Sequence, residues 1–230
     1  MQLVIREFEK RVEEINSYLV AVEELEETSD LETNEGRSRK YFENDFLKIL
    51  KSNALLMLYN LVESTIMGGF LEIYGELADN NTTYKMVRRE IQDIWLSFRY
   101  SEVYDKNAHY NSYKDKASEI VTSILSEDVL ELSRKAVNIS GNLDAEQIRI
   151  VCTEHGIRYS SNPESRGGIV LDDIKKKRNN LAHGTISFVE CGRDYSILRL
   201  IEIKREAVLF LSAVLDGMKE YYDNQRYLAV

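Results

Sequence analysis

Between Lys175 and Gly184 the chain reads Lys-Lys-Lys-Arg-Asn-Asn-Leu-Ala-His-Gly, a dense grouping of residues that handle anions and protons. Arg178 brings a permanent charge and a planar fork of donors, suited to negative charge developing on a phosphorus centre or another oxyanion. His183 is the side-chain type that exchanges a proton near neutral pH without help from its surroundings. Asn179 can hold an oxygen or orient the imidazole. Lys175, Lys176 and Lys177 would steer an anionic polymer toward the pair, although such a run alone is ordinarily a solvated face. The whole chain carries a formal net charge of −9. Any nucleic-acid contact is therefore a local basic patch on an acidic body, and binding through it is weak and salt-sensitive.

The elements that carry these groups decide whether they can act together. The apolar spacing predicts a helix from about Ile169 to Ala182, with Gly184 as its stop. Five residues separate Arg178 from His183, about 140° of rotation on an ideal helix, so the two do not share a face. Asn179 and His183, four apart, do. Convergence of the Arg and the His needs a helix end at His183, a distortion, or a second copy of the chain. Upstream, Glu63 sits inside the apolar run Leu61-Val62-Glu63-Ser64-Thr65-Ile66, where a carboxylate is costly to bury unless paired. It is a candidate to fix Arg178 or His183 in place. A plainer alternative stays open, with Arg178 as the structural partner of Glu63 and His183 as a helix cap.

Composition bounds the rest. The 230 residues are 43% hydrophobic with one proline, Pro163, and 11 glycines, which favours a real core built from long helices. No run of ~20 uninterrupted apolar residues occurs, so no membrane span is expected. The N-terminus lacks the apolar stretch of a secretory signal, and two cysteines, Cys152 and Cys191, do not make a disulfide framework. A reducing cytoplasm is the simplest compartment. Cys152-Thr153-Glu154-His155 has half-site spacing for zinc, but completing it would need Cys191 with His183 or His109. No second Cys/His pair exists, so neither a metal nor another cofactor is expected. Serine-nucleophile and P-loop chemistry lack their glycine-framed motifs.

Along the chain, Val4, Phe8, Val12, Ile15, Leu19 and Val22 predict a helix over residues 2 to about 27, followed by an acidic loop ending at Gly36. A second, central helix runs from about Ser38 into the sixties, with Gly68-Gly69 breaking or kinking it. Tyr84 to Phe98 is a third helix, Tyr100 to Tyr113 an irregular stretch, and Lys116 to Leu125 and Val129 to Val137 are shorter helices. Asn142 is read as the N-cap of a helix closed by Gly156, and Ser160 to Gly168 as a loop. Thr185 to Glu190 and Tyr195 to Leu200, around Cys191-Gly192-Arg193-Asp194, read as a short β-hairpin. A last helix covers Glu202 to about Tyr222. The expectation is a mainly α helical bundle forming one domain over 1–230, with 138–168 as a small insertion or loop region and a hairpin after the motif helix.

The motif Arg178-Asn179-x-x-x-His183 resembles the Arg-x4-6-His signature of the HEPN superfamily, including the polar residue after the Arg. Leu58-Tyr59-Asn60-Leu61-Val62-Glu63-Ser64-Thr65 is similar to the helix that supplies an acidic residue in prokaryotic stand-alone members. Ser140 to Ile148 with Gly156, and His183 to Tyr195, are similar to the same group. The resemblance covers about residue 40 to the end. It implies a helical bundle that forms a homodimer and sets two motifs across a cleft. It further implies an RNA-cleaving, metal-independent enzyme of toxin–antitoxin, abortive-infection or phage-defence type, with an antitoxin or other defence protein as partner. Arg178, Asn179, His183 and Glu63 would then be catalytic, and Lys175 to Lys177 would bind RNA. The alternative is a non-catalytic HEPN module that binds nucleotide or RNA, or scaffolds a partner. One departure is Thr185, which stands where some members carry a tyrosine that a partner nucleotidyltransferase modifies.

Overall fold

A computed structural model describes residues 1–31, 37–101, 110–137, 139 and 142–229. His109, most of the Tyr100 to Tyr113 stretch and the end of the acidic loop lie outside these residues. The described chain is mainly helical: α1 (Gln2–Leu31), α2 (Arg37–Asp79), α3 (Arg89–Ser101), α4 (Tyr110–Leu125), α5 (Ala145–Glu154), α6 (Val170–Ala182), α7 (Phe188–Arg193) and α8 (Ile197–Asp223), with 3-10 turns at Arg134–Val137 and Pro163–Gly168.

The second helix is the axis of the fold. Leu55, Leu58, Tyr59, Leu61, Val62, Ile66, Phe70, Ile73 and Leu77 are fully buried, which requires partners on several sides. Those partners are α1, α6, α7 and α8. Asn44–Asp79 is long and apolar enough to cross a membrane by length and composition, and most of its apolar window is buried inside the bundle. From α1, Phe8, Ile15, Leu19 and Val22 fill one stripe. Tyr18 Oη donates to the Leu50 carbonyl at 2.8 Å, fixing the register of α1 on α2.

Gly68-Gly69 do not break α2, which stays helical through both. Close packing accounts for the second of them: a Cβ on Gly69 would run into the Met218 sulfur of α8, whereas one on Gly68 would make only ordinary contact with Val4 Cγ1 at 3.4 Å. The missing side chain of Gly69 leaves room for Met218, and the helix tolerates the loss of propensity at both positions.

No hairpin follows the motif helix. Residues 188–193 form α7, and α8 begins at Ile197. The reason lies in two helix starts that the β-branched and aromatic composition conceals. Ser187 and Glu190 form a capping box, with Glu190 N–H donating to Ser187 Oγ and Ser187 N–H to Glu190 Oε2. Ser196 caps α8 through the Arg199 amide. The only bridges among the described residues are isolated, Thr83 with Val129 and Val87 with Leu228.

Other boundaries shift for similar local reasons. The third helix begins at Arg89, not Tyr84, because Val87 is held by its bridge and Gln92 Nε2 bonds the Tyr84 and Val87 carbonyls of the preceding turn. Only Arg134–Val137 of the Val129 to Val137 stretch is helical, as a 3-10 turn. The Ser160 to Gly168 loop contains a 3-10 turn, and Gly168, at φ +75°, lies so close to Phe210 that a Cβ would sit 2.7 Å from its ring.

Candidate functional site

The motif helix α6 packs on α2, α7 and α8 and buries Val170, Leu171, Ile174 and Leu181. Leu171, Ile174 and Leu181 leave one gap in a 3-4-3 pattern, and Arg178 fills it. The arginine therefore occupies a core-facing position of an otherwise apolar stripe. Its guanidinium carbon lies 4.5 Å from the centroid of the Tyr59 ring on α2. That ring is fully buried, and burial holds its phenol above the ordinary tyrosine range. Nη1 of Arg178 donates to Asn179 Oδ1 at 2.9 Å. Among the described residues no carboxylate pairs with Arg178. A half-buried cation satisfied by a ring face and one neutral acceptor retains donors for an anion.

The three lysines before it are placed differently. Lys175 bonds Asp144 and lies 3.2 Å from Asp172. Lys176 pairs with Asp172 at 2.5 Å, and Lys177 with Asp194 at 2.8 Å while its ammonium sits 5.5 Å from the Tyr195 centroid. The hydrogen bond from Lys175 to Asp144 and that from Lys177 to Asp194 raise both lysines above their ordinary range. Every cation of the lysine run thus has a carboxylate beside it, and the open basic patch expected from the sequence is largely cancelled where it stands.

His183 is the C-cap of α6, with φ −91° and ψ 0°. Its amide bonds the Asn179 carbonyl at 3.0 Å, which keeps His183 on the Asn179 face. The ring is exposed and makes no hydrogen bond among the described residues. Gly184 follows at φ +66°, with Thr185 N–H donating to the Asn180 carbonyl at 2.9 Å and Gly184 N–H to Leu181 at 3.2 Å. This is a Schellman ending, as the sequence expects of a Gly at that place. An added Cβ on Gly184 would meet nothing within 4 Å. Gly184→Ala is therefore expected to lower unfolding free energy by about 1 kcal/mol, from backbone conformation alone. Urea denaturation checks this, and a loss several times larger would mean that Gly184 does more than turn the chain.

Glu63 does not reach Arg178 or His183. Its Oε1 accepts from Arg134 Nη2 at 3.0 Å, while the partners of Arg178 are Tyr59 and Asn179. The structural pairing of Arg178 with Glu63 is likewise not formed. The residue the sequence reading overlooked is Tyr59, one helical turn before Glu63. A cation at a stripe position of α6 was the available signal that some flat or polar group must face it.

Asn142 is a second omission. The N-cap of α5 is Asp144, whose Oδ1 accepts from Gln147 N–H at 2.9 Å. Asn142 instead accepts through Oδ1 from Asn179 Nδ2 at 2.7 Å. Gly156, at φ +73°, closes α5 as expected, with Ile157 N–H bonding the Cys152 carbonyl at 2.8 Å.

Cys152 and His155 are both buried in the core. Burial pushes the Cys152 thiol up to about 12. His155 Nδ1 faces the Val151 carbonyl at 2.7 Å and so must donate, which leaves Nε2 to accept from Tyr74 Oη at 2.6 Å. Both ring nitrogens are thereby committed within the core. No group of three or more His, Cys, Asp or Glu among the described residues is arranged to hold a metal ion.

Burial lowers the His155 pKa from 6.5 to about 4, so the folded protein holds it neutral. The unfolded chain binds the extra proton first as pH falls. This contribution to stability is complete above pH 6.5 and is lost as pH falls to 4, a difference of about 3 kcal/mol. Subtracting the unfolding free energies of His155→Gln from those of the wild type across this range should reveal that slope. A flat difference curve would contradict it.

The structure is a helical bundle that presents Arg-Asn-x-x-x-His at the end of a core-packed helix. The chain belongs to the HEPN superfamily: the family model described as HEPN_MAE_28990-like HEPN matches residues 1–227. Comparison with curated proteins and with solved structures gave no match. Membership points to a nuclease or nucleotide-binding role.

Proposed function

We propose that the protein is a metal-independent endoribonuclease that acts as a homodimer, with Arg178 and His183 as its catalytic residues. The observation that carries the reading is Arg178, held in a stripe position by neutral groups and paired with no carboxylate among the described residues. A phosphate supplies the charge that this arrangement lacks. The exposed His183 at the helix end supplies the proton exchange. About 140° of helix rotation separates the two on one chain, so a second copy brings a complementary motif to the cleft.

In this mechanism the 2′-hydroxyl oxygen of RNA attacks the adjacent phosphorus, and its proton passes to the imidazole of His183. Arg178 holds the charge on the pentacoordinate phosphorus. The bond from phosphorus to the 5′-oxygen then breaks, and that oxygen leaves with a proton from the protonated imidazole of the partner's His183. The products are a 2′,3′-cyclic phosphate and a 5′-hydroxyl. The nucleophile belongs to the substrate and the neutralising charge to Arg178, so no step calls for a metal. Asn179 holds the guanidinium, and Lys176, the most exposed of the three lysines, contacts the RNA backbone by exchanging its aspartate for a phosphate. The setting is a cytoplasmic toxin or phage-defence effector, held in check by an antitoxin or other defence partner.

A non-catalytic module is the second reading, favoured by the carboxylates that neutralise Lys175 to Lys177. Arg178 would then hold the phosphate of a nucleotide or RNA without turnover. Expression of wild type beside His183→Ala separates the two. The nuclease reading expects growth arrest and fragmented RNA from the wild type alone, with RNA binding kept by both. Binding by both with cleavage by neither supports the module.

A further inference from the structure

Three consecutive residues before α5 reach across the motif. Asn142 accepts from Asn179 Nδ2 at 2.7 Å, Leu143 N–H donates to the Tyr59 hydroxyl at 3.4 Å, and Asp144 bonds Lys175. The Leu143 side chain is fully buried, which anchors the segment. In order, these residues touch the carboxamide that holds Arg178, the ring on which Arg178 lies, and the cation one turn before it. Against the desolvation of burial, the Gln147 amide and Lys175 keep Asp144 below the ordinary carboxylate range, so this tie is fully charged at neutral pH.

A carboxamide has one accepting end and one donating end. Asn142 takes the donating end of Asn179, so the accepting end faces Arg178 Nη1 at 2.9 Å. Without an acceptor at position 142 only Arg178 itself would orient the Asn179 carboxamide, and each turn-over of that group would set donors against donors. Arg178 has no other hydrogen-bond acceptor among the described residues. We infer that Asn142 is a positioning residue: through Asn179 it sets the direction in which Arg178 presents its guanidinium to a phosphate. The inference rests on the ribonuclease reading above and deepens it. It also gives the segment before α5 a part in the site, where the sequence offered only an insertion.

Asn142 is exposed, so its replacement leaves the core intact. The test compares Asn142→Leu, which keeps the shape and removes the acceptor, with Asn142→Asp, which keeps an acceptor. Purified full-length proteins are assayed on RNA for kcat and KM. The Asn179 side-chain NH2 signals are followed by nitrogen-15 NMR. Asn142→Leu should lower kcat roughly tenfold, with KM and melting temperature little changed. Asn142→Asp should recover most of the rate. In an Asn179→Ala background Asn142→Leu should cost nothing further. The Asn179 signals should move in Asn142→Leu and stay near their wild-type positions in Asn142→Asp. Wild-type kcat in Asn142→Leu, an undiminished effect in the Asn179→Ala background, or unmoved Asn179 signals would each overturn the inference. A wild type that cuts no RNA, or a His183→Ala protein that cuts as fast, would bring down the ribonuclease reading and the inference with it. An active wild type and an inert His183→Ala beside an unaffected Asn142→Leu would refute the positioning role alone.

Discussion

Arg178→Ala and His183→Ala are each expected to slow RNA cleavage by roughly a thousandfold while the protein stays folded. The two substitutions act on different parts of the reaction. His183 is exposed and makes no hydrogen bond among the described residues, so its truncation removes proton transfer and little else. Arg178 lies over Tyr59 and bonds Asn179, so its truncation removes the cation that in the proposed mechanism offsets the phosphate charge, and also a stacking contact of about 1 kcal/mol. Arg178→Lys should fail to rescue. An ammonium cannot lie flat on the ring while giving one donor to Asn179 and two to a phosphate. Cleavage rates on a defined RNA, with helical content and melting curves alongside, check all three. Wild-type cleavage by His183→Ala would remove that residue from the mechanism.

The largest effect on stability is expected at Gly192, the penultimate residue of α7. A Cβ there would sit 2.6 Å from the Lys48 carbonyl carbon and 2.8 Å from its Cα, both backbone atoms of α2 that cannot turn aside. Gly192→Ala must therefore push α7 off α2. That separation would strain the bond from Ser52 Oγ to the Phe188 carbonyl at 2.6 Å and uncover Cys191. It also pulls on α6, because Tyr195 Oη donates to Asp173 at 2.7 Å and Lys177 pairs with Asp194. The expected loss is about 3 kcal/mol or more. Gly75→Ala is the contrast: Gly75 is an exposed position of α2 where a Cβ meets nothing within 4 Å, and the change should stabilise by up to about 1 kcal/mol. Urea denaturation of both measures the difference. A Gly192→Ala protein as stable as the wild type would mean that α7 does not seat on α2 as described.

The helical framework was legible because long stripes carry it. Phe8, Ile15, Leu19 and Val22 mark α1, and the apolar breadth of α2 marks it as central. The ending of α6 at His183-Gly184 was legible too, since a Schellman turn calls for a residue without a Cβ. The hairpin was misread because Phe188, Val189 and the residues after Tyr195 have strand-like composition, while two serines with their N3 partners start helices there. The site was legible by residue type but not by partner. Nothing local in the sequence links position 63 to Arg134, 59 to Arg178 or 142 to Asn179, because the first pair meets only when the Arg134–Val137 turn packs on α2 and the other two only when α2 and the segment before α5 pack on α6. Gly69 was misjudged for the same reason, since the need for close approach there is set by Met218, far along the chain.

The central claim is that the 2′-hydroxyl of RNA is the nucleophile and that Arg178 and His183 serve it without a metal. The direct measurement uses an RNA oligonucleotide that the wild type cuts at one bond, and the same oligonucleotide with 2′-deoxyribose at that nucleotide, both in EDTA. Cleavage of the all-ribose strand alone, giving a 2′,3′-cyclic phosphate and a 5′-hydroxyl, is the predicted result. Cleavage of the deoxy-substituted strand at the same bond, ends carrying a 5′-phosphate, or loss of activity in EDTA would contradict it.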